Sequence, residues 1–275
     1  MEPVWKTEVW GVRGAISMPE ADYLEYGGHT SCISADFGGR LVILDAGSGL
    51  TGLGLRMRRE GRKRADILLS HLHIDHVSGL FGFPLLFDPE AQIHLYGGQG
   101  AGKHLSALAG TPYWPLGFSD VPAQVEIHEI EAGEHFFLAG EEKEPDGIKI
   151  RTLPGKHPGG SILYRLEAEG RSIIHALDCE MDEEMFRRLQ SFAEDGDLLI
   201  WDANFTEEDL AQRRGWGHSS WREGLRLRQE AGVREILMTH YSWEYADRFL
   251  QEQEKMAVHA DTACRFAKEG MVIWV

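Results

Sequence analysis

The run His71-Leu72-His73-Ile74-Asp75-His76 constrains this chain more than any other feature. It follows Ile67–Ser70, a segment with strand character. In extended backbone, residues two apart project to one side, so His71 and His73 are disposed to hold one cation together. A turn at Asp75, suggested by Ser78-Gly79 ahead of the apolar run Leu80–Phe87, swings Asp75 and His76 toward a second cation. Apolar residues flank the cluster on both sides. That is a poor setting for solvated surface histidines and a good one for metal ligands.

Strand character recurs at Val4–Trp10, Cys32–Phe37, Leu41–Leu44, Ile67–Ser70, Gln92–Tyr96, Val125–Ile130, Ile148–Leu153, Ser161–Leu166, Ser172–Leu177, Leu198–Trp201, Glu235–Thr239 and Met271–Val275. Gly38-Gly39 reads as a hairpin turn. Helical periodicity falls at Leu50–Glu60, Lys103–Ala109, Glu183–Phe192, Trp221–Ala231 and Ala246–Lys268. Interspersed strands and helices exclude an all-α fold. The charged stretch Glu141–Gly147 lies between two strand-like segments and reads as an exposed loop, so residues 1–275 are expected to form one domain. There is no repeat of domain-building period and no low-complexity tract.

Apolar residues make up 43% of the 275, enough for a substantial core. No apolar run approaches the roughly 20 residues needed to cross a bilayer, and the N-terminus has no secretory pattern. Three widely spaced cysteines, Cys32, Cys179 and Cys264, suit buried reduced thiols. A cytoplasmic protein is the expectation. With 44 acidic and 28 basic residues the formal charge is −16, which disfavours DNA or a large RNA such as tRNA as partner. A small anionic substrate is compatible with that charge, because a metal site supplies its own positive field. So is assembly into a homo-oligomer.

The histidine run resembles the H-x-H-x-D-H signature of metallo-β-lactamase-fold hydrolases, and the likeness extends over nearly the whole chain. Trp10-Gly11-Val12-Arg13-Gly14, Gly27-Gly28-His29-Thr30-Ser31-Cys32 and Leu44-Asp45-Ala46-Gly47-Ser48-Gly49 look like the opening strands of the phosphodiesterase branch, which includes ribonuclease Z and small cyclic-phosphate hydrolases. His29 stands where that branch carries asparagine, and is read as a turn position. The resemblance implies an α+β fold: a four-layer αββα sandwich of two mixed sheets packed face to face with helices outside. It also implies three further ligands at strand ends, His157, Asp178 and His240. One ion would then sit on His71, His73 and His157, and another on Asp75, His76 and His240, with Asp178 between them. Histidine-rich ligation makes zinc the default for the two divalent ions, with manganese or iron accommodated by the same donors.

Alternation along Ser172–Asp178 places His175 on the face opposite Asp178, so His175 is not counted as a ligand. Cys179 is read as structural. His94, His104, His128, His135 and His259 lack partners at ligand spacing and are assigned to the surface or to hydrogen-bonded core positions.

Two divalent ions about 3.5–4 Å apart hold a bridging water whose pKa falls toward 7, and the resulting hydroxide is the expected nucleophile. The site stays net positive after Asp75 and Asp178 are counted, which suits a phosphodiester monoanion. A departing alkoxide needs a proton. His218, in Gly217-His218-Ser219-Ser220, resembles the His-Ser-Thr motif of ribonuclease Z and is the candidate acid. Trp201-Asp202-Ala203-Asn204 looks like a variant of that family's His-Glu-Ala-Thr motif, with Asp202 placed to orient His218. The catalytic candidates are thus His218, Asp202 and Asp75. Trp114, Trp216 and Trp221 are possible base-stacking residues but more commonly core, and Arg13 is either a phosphate contact or a structural ion pair.

Ribonuclease Z relatives commonly insert a tRNA-binding arm between the third histidine and the bridging aspartate. Only 20 residues separate His157 from Asp178 here, and two strands with the Glu169-Gly170 turn fill them. The expectation is therefore hydrolysis of a small phosphodiester, cyclic ones included. The alternatives are a carboxylic-ester or thioester hydrolase and a non-catalytic metabolite-binding protein.

Overall fold

A computed structural model describes residues 5–138 and 147–275. Two seven-stranded mixed sheets make up its centre. The first contains β1 (Lys6–Gly11), β2 (Cys32–Phe37), β3 (Arg40–Leu44), β4 (Arg64–Leu68), β5 (Gln92–Gly97) and β6 (Gln124–Glu129), in that spatial order, with β14 (Val272–Trp274) outside β1. The second runs from β7 (His135–Phe137) through β8 (Lys149–Gly155), β9 (Ser161–Ala168), β10 (Arg171–Ala176), β11 (Leu198–Asp202) and β12 (Glu235–Thr239) to β13 (Cys264–Phe266). The helices are α1 (Leu50–Arg59), α2 (Ile74–Val77), α3 (Ala101–Leu108), α4 (Glu183–Ala193), α5 (Glu207–Gln212), α6 (Trp221–Glu230) and α7 (Asp247–Ala260). The expected αββα sandwich of two mixed sheets is the fold observed.

Period-two alternation divides the first sheet between two cores. Along β3, Leu41 and Ile43 join the helix-side cluster with Leu50, Leu53 and Met57 of α1, while Val42 and Leu44 join the cluster between the sheets. Strands β10 and β11 are buried on both faces, since the second sheet is covered by α4 and α6 on its outer side, and accordingly read as nearly continuous apolar runs.

The same pairing pattern occurs in both sheets. Three antiparallel pairings give way to three parallel ones, at β3–β4 in the first sheet and at β10–β11 in the second. Loops leaving the C-terminal ends of parallel strands gather at one edge, the usual place for chemistry in such sheets. Those loops carry Asp45, the His71–His76 run, Asp178 and His240. Two bonds tie the sheets together there: Ile162 N–H donates to Ser70 O at 2.8 Å, and the Tyr164 hydroxyl donates to Leu69 O at 2.7 Å.

Most expected elements appear with shifted ends. Gly38 and Gly39 have φ of 59° and 91°, as a two-residue hairpin turn requires. The helix expected over Ala246–Lys268 stops at Ala260, and Cys264–Phe266 is an edge strand instead. Asp261 ends the helix in extended conformation, and its carboxylate takes the Ala263 N–H at 2.9 Å, a local turn that competes with helical continuation. Cys264 and Phe266 then face inward around exposed Arg265. Strand β4 ends at Leu68 rather than Ser70, which frees the ligand run from the ladder. Strand β7 and helix α5 were not expected, being too short for periodicity to mark. Val4 and Glu141–Asp146 of the expected charged loop lie outside the described residues. No helix among the described residues is long and apolar enough to cross a membrane.

Candidate metal centre

Four groups of donor atoms meet at the shared edge: His71, His73 and His157; Asp75, His76 and His240; His71, His76 and Asp178; and Asp178, Asp202, His218 and His240. The first two are the ligand sets expected from the resemblance. Asp178 lies among the imidazoles, with Oδ2 3.1 Å from His76 Nε2 and Oδ1 3.3 Å from His240 Nε2, 3.8 Å from His157 Nε2 and 3.9 Å from His71 Nε2.

The ring orientations follow from the nitrogens facing away from this centre. His76 Nδ1 is 2.8 Å from Asp45 Oδ2, His240 Nδ1 is 2.7 Å from Ser31 Oγ, and His71 Nδ1 is 3.0 Å from Ser70 Oγ. His157 Nδ1 donates to Gly217 O at 2.9 Å. Each anchor leaves Nε2 pointing inward. The Nε2 atoms of His71, His76 and His240 and Oδ2 of Asp178 are buried without a hydrogen-bond partner. Unpaired buried polar atoms are costly. A converging set of them is the signature expected of ligands, so the residues fit a divalent cation, and mixed imidazole and carboxylate donors suit zinc.

Electrostatics agree with this. Burial lowers the pKa of His76, but Asp178, Asp45 and Asp75 outweigh it and raise it well above the usual histidine value, the same negative field that favours a cation. Burial, then His76, pushes His71 down to about 3, leaving it neutral as a ligand must be. Burial opposes ionisation of Asp178, yet His240, His76 and His71 hold it well below the ordinary carboxylate range. Asp178 and His240 also have positive φ, 53° and 61°, uncommon for these residues and typical of functional sites where surrounding structure enforces them.

His218 Nδ1 is 2.9 Å from Asp202 Oδ2. Asp202 also accepts the backbone N–H of Asp178 at 3.1 Å and of Asn204 at 2.9 Å, so the carboxylate joins the His218 loop to the Asp178 turn. Burial lowers His218, but Asp202 and, beyond it, Asp178 and Asp75 raise it to about 9. Ser220 begins α6 with a capping box to Glu223, fixing the loop immediately after His218. On its other side Glu180 accepts from Gly215 N at 2.6 Å and Gly217 N at 3.3 Å.

The remaining candidates resolve individually. Arg13 is fully buried, donates to Gly27 O and Tyr245 O at 2.7 Å each, and lies 3.6 Å from Asp247, so it is a structural cation and not a phosphate contact. His29 is exposed, and its carbonyl accepts from Val12 and Arg13, as a turn position does. Trp221 is buried, Trp114 packs on Phe81, and Trp216 is 59% exposed beside Phe205. His175 is in none of the donor groups; buried, it lies 3.6 Å from Asp45. Cys179 Sγ accepts Lys156 N–H, and burial pushes its thiol up to about 12. All three cysteines are free and buried. Roles for Asp45, Ser31, Ser70 and Glu180 were not foreseen; for Asp45 the signal was present in Leu44-Asp45-Ala46-Gly47, but nothing local points from it to His76.

Inward imidazoles and carboxylates at the joined edges of two mixed sheets define a metal-dependent hydrolase of the metallo-β-lactamase class. The chain belongs to the beta-lactamase superfamily, whose domain profile matches residues 40–241. A ribonuclease Z from Porphyromonas gingivalis is 26% identical over 268 residues, covering 80% of this chain and 85% of that protein. Among solved structures, the metallo-beta-lactamase fold protein YhfI from Bacillus subtilis superposes with a TM-score of 0.74 at 21% identity, over 100% of both chains. A diphosphatase from the PhnP family gives 0.70 at 19% identity, over 98% of this chain and 97% of that one.

Proposed function

We propose that residues 1–275 form one hydrolase domain, a cytoplasmic phosphodiesterase acting on a small phosphodiester, cyclic ones included. The observation that carries this reading is the His218–Asp202 pair at 2.9 Å beside the cluster of inward-facing ligands. The ligand sets are His71, His73 and His157 for one divalent ion, and Asp75, His76 and His240 for a second, with Asp178 shared. When bound, such ions supply positive charge for phosphoryl oxygens and a water acidified toward neutrality.

The chain's own groups do the rest. Asp202 stabilises the protonated form of His218 and occupies its Nδ1, leaving Nε2 to deliver a proton to the leaving oxygen. Asp75 is kept ionised, with His76 and His240 overcoming the opposing effect of burial, and Ala15 N–H bonds its Oδ2 at 2.7 Å. Gly217, through its carbonyl, orients His157.

Ribonuclease Z relatives support a second reading, cleavage of precursor tRNA. Against it stand the charge of −16 and the tight β9–β10 hairpin, which occupies the interval between His157 and Asp178. Parallel assays with bis-p-nitrophenyl phosphate, cyclic and linear dinucleotides, a thioester and precursor tRNA separate the readings. The small diesters are expected to turn over fastest. Precursor tRNA as the preferred substrate would reverse the assignment of substrate size, and thioester preference would remove the phosphodiesterase reading altogether.

Gly217 has φ of 86°, and a Cβ there would lie 2.2 Å from His157 Nδ1. Gly217→Ala is therefore expected to displace the His157 ring and lower metal affinity by about 10–100-fold, the usual cost of losing a bond that orients a ligand. Zinc titration of the variant after chelator treatment checks this. Unchanged affinity would mean that His157 is not a ligand.

A further inference from the structure

A separate donor set forms where β5 meets β6, the last strand of its sheet among the described residues. The two strands are parallel, with His94 opposite Glu126 and Tyr96 opposite His128. Glu126 and His128, two apart, share a face of β6. His94 Nδ1 is 3.1 Å from His128 Nε2 and 3.5 Å from Glu126 Oε2, and His128 Nε2 is 3.8 Å from the same carboxylate oxygen. Donors bound tetrahedrally at about 2.0–2.1 Å stand about 3.3–3.4 Å apart, so this triangle is close to the size of one face of a zinc coordination shell. None of its members belongs to the centre at the strand ends.

The rings are held in advance. Tyr96 stacks on His128 with centroids 4.6 Å apart and planes 17° from parallel, and Phe136 stacks on Tyr96 at 5.3 Å. His94 is 7% exposed and turns its Nδ1 to the other two donors. Burial first, and Arg64 second, lower its pKa, so it is neutral near pH 7 and able to coordinate. Arg64 shares one carboxylate with Arg40, each Nε lying 2.9 Å from Asp66 Oδ2. His128 and Glu126 are partly exposed, which gives a cation from solvent access and leaves the fourth position to water.

We propose that His94, Glu126 and His128 form a third metal site that takes one borderline divalent cation of the Zn2+, Ni2+ or Cu2+ kind. Two imidazoles with one carboxylate exclude Mg2+ and Ca2+, which take all-oxygen shells. A cation held there joins edge strand β6 to β5. Without one, a single hydrogen bond between the two rings accounts for the 3.1 Å separation, and that is the competing explanation.

The experiment strips the full-length protein with a chelator and follows Zn2+ uptake by equilibrium dialysis and elemental analysis, in wild type, His128→Ala and Glu126→Gln. Wild type is expected to take up one equivalent more than His128→Ala at the same free zinc, and Glu126→Gln to bind that equivalent about tenfold or more weakly. Both variants should retain hydrolysis of bis-p-nitrophenyl phosphate. Equal zinc uptake in all three proteins overturns the proposal. Should His128→Ala fail to fold by circular dichroism, Glu126→Gln decides the question, since its carboxylate is substantially exposed and the change is nearly isosteric.

Discussion

Asp178→Ala is expected to leave the protein unable to hold two metal ions and to reduce phosphodiester hydrolysis by more than about 100-fold, exceeding the loss typical of residues that merely orient ligands. The carboxylate has four imidazole Nε2 atoms within 3.1–3.9 Å, and under the proposed ligand assignment its removal would delete both a shared donor and the charge that offsets two cations. Alanine also introduces backbone strain, because residue 178 has φ of 53°. Asn tolerates that conformation well, so Asp178→Asn separates loss of charge from loss of the turn. Both variants should show reduced zinc content by elemental analysis, with Asp178→Asn keeping a wild-type melting profile when metal-free. Retention of two ions in Asp178→Asn would remove the bridging assignment.

His218→Ala is expected to keep both ions and to slow hydrolysis of alkyl phosphodiesters by about 10²–10⁴-fold, the range for losing a general acid. An alkoxide is a strong base and needs protonation as it leaves, whereas p-nitrophenolate departs unassisted. The deficit should therefore shrink markedly on p-nitrophenyl esters. Equal losses on both substrates with metal content unchanged would indicate substrate positioning instead, and loss of an ion would mean that His218 is itself a ligand. Asp202→Asn is expected to show a weaker version of the same selectivity. It is the less clean probe, because Asp202 also takes the backbone N–H of Asp178, so its effect on metal content has to be measured alongside.

Much of the site could be read from the chain before any folding was considered. The His71–His76 run is local, and spacing along a strand and its following turn governs where such side chains project. His157, Asp178 and His240 carry no signal singly; their order and neighbouring residues match a known pattern, and the fold brings them to the same edge. The helix expected through Lys268 shows the opposite situation. Its apolar spacing continued past Ala260, but the Asp261 turn and pairing of Cys264–Phe266 with β12 outweighed periodicity.

What the sequence by itself determined was which donor residues are present and, through a resemblance in motif order, the sandwich class. Only the tertiary structure decided which nitrogen of each ring faces the centre for His76, His240 and His157, because Asp45, Ser31 and Gly217 reach them from other loops. It also buried Arg13 among backbone carbonyls, where sequence alone allowed a phosphate contact. It brought His94 within 3.1 Å of His128, residues 34 positions apart that share no spacing rule. The physical reason is that each of these contacts joins separate chain segments, whose relative position is set by strand register and by the packing of both sheets, not by any short window of residues.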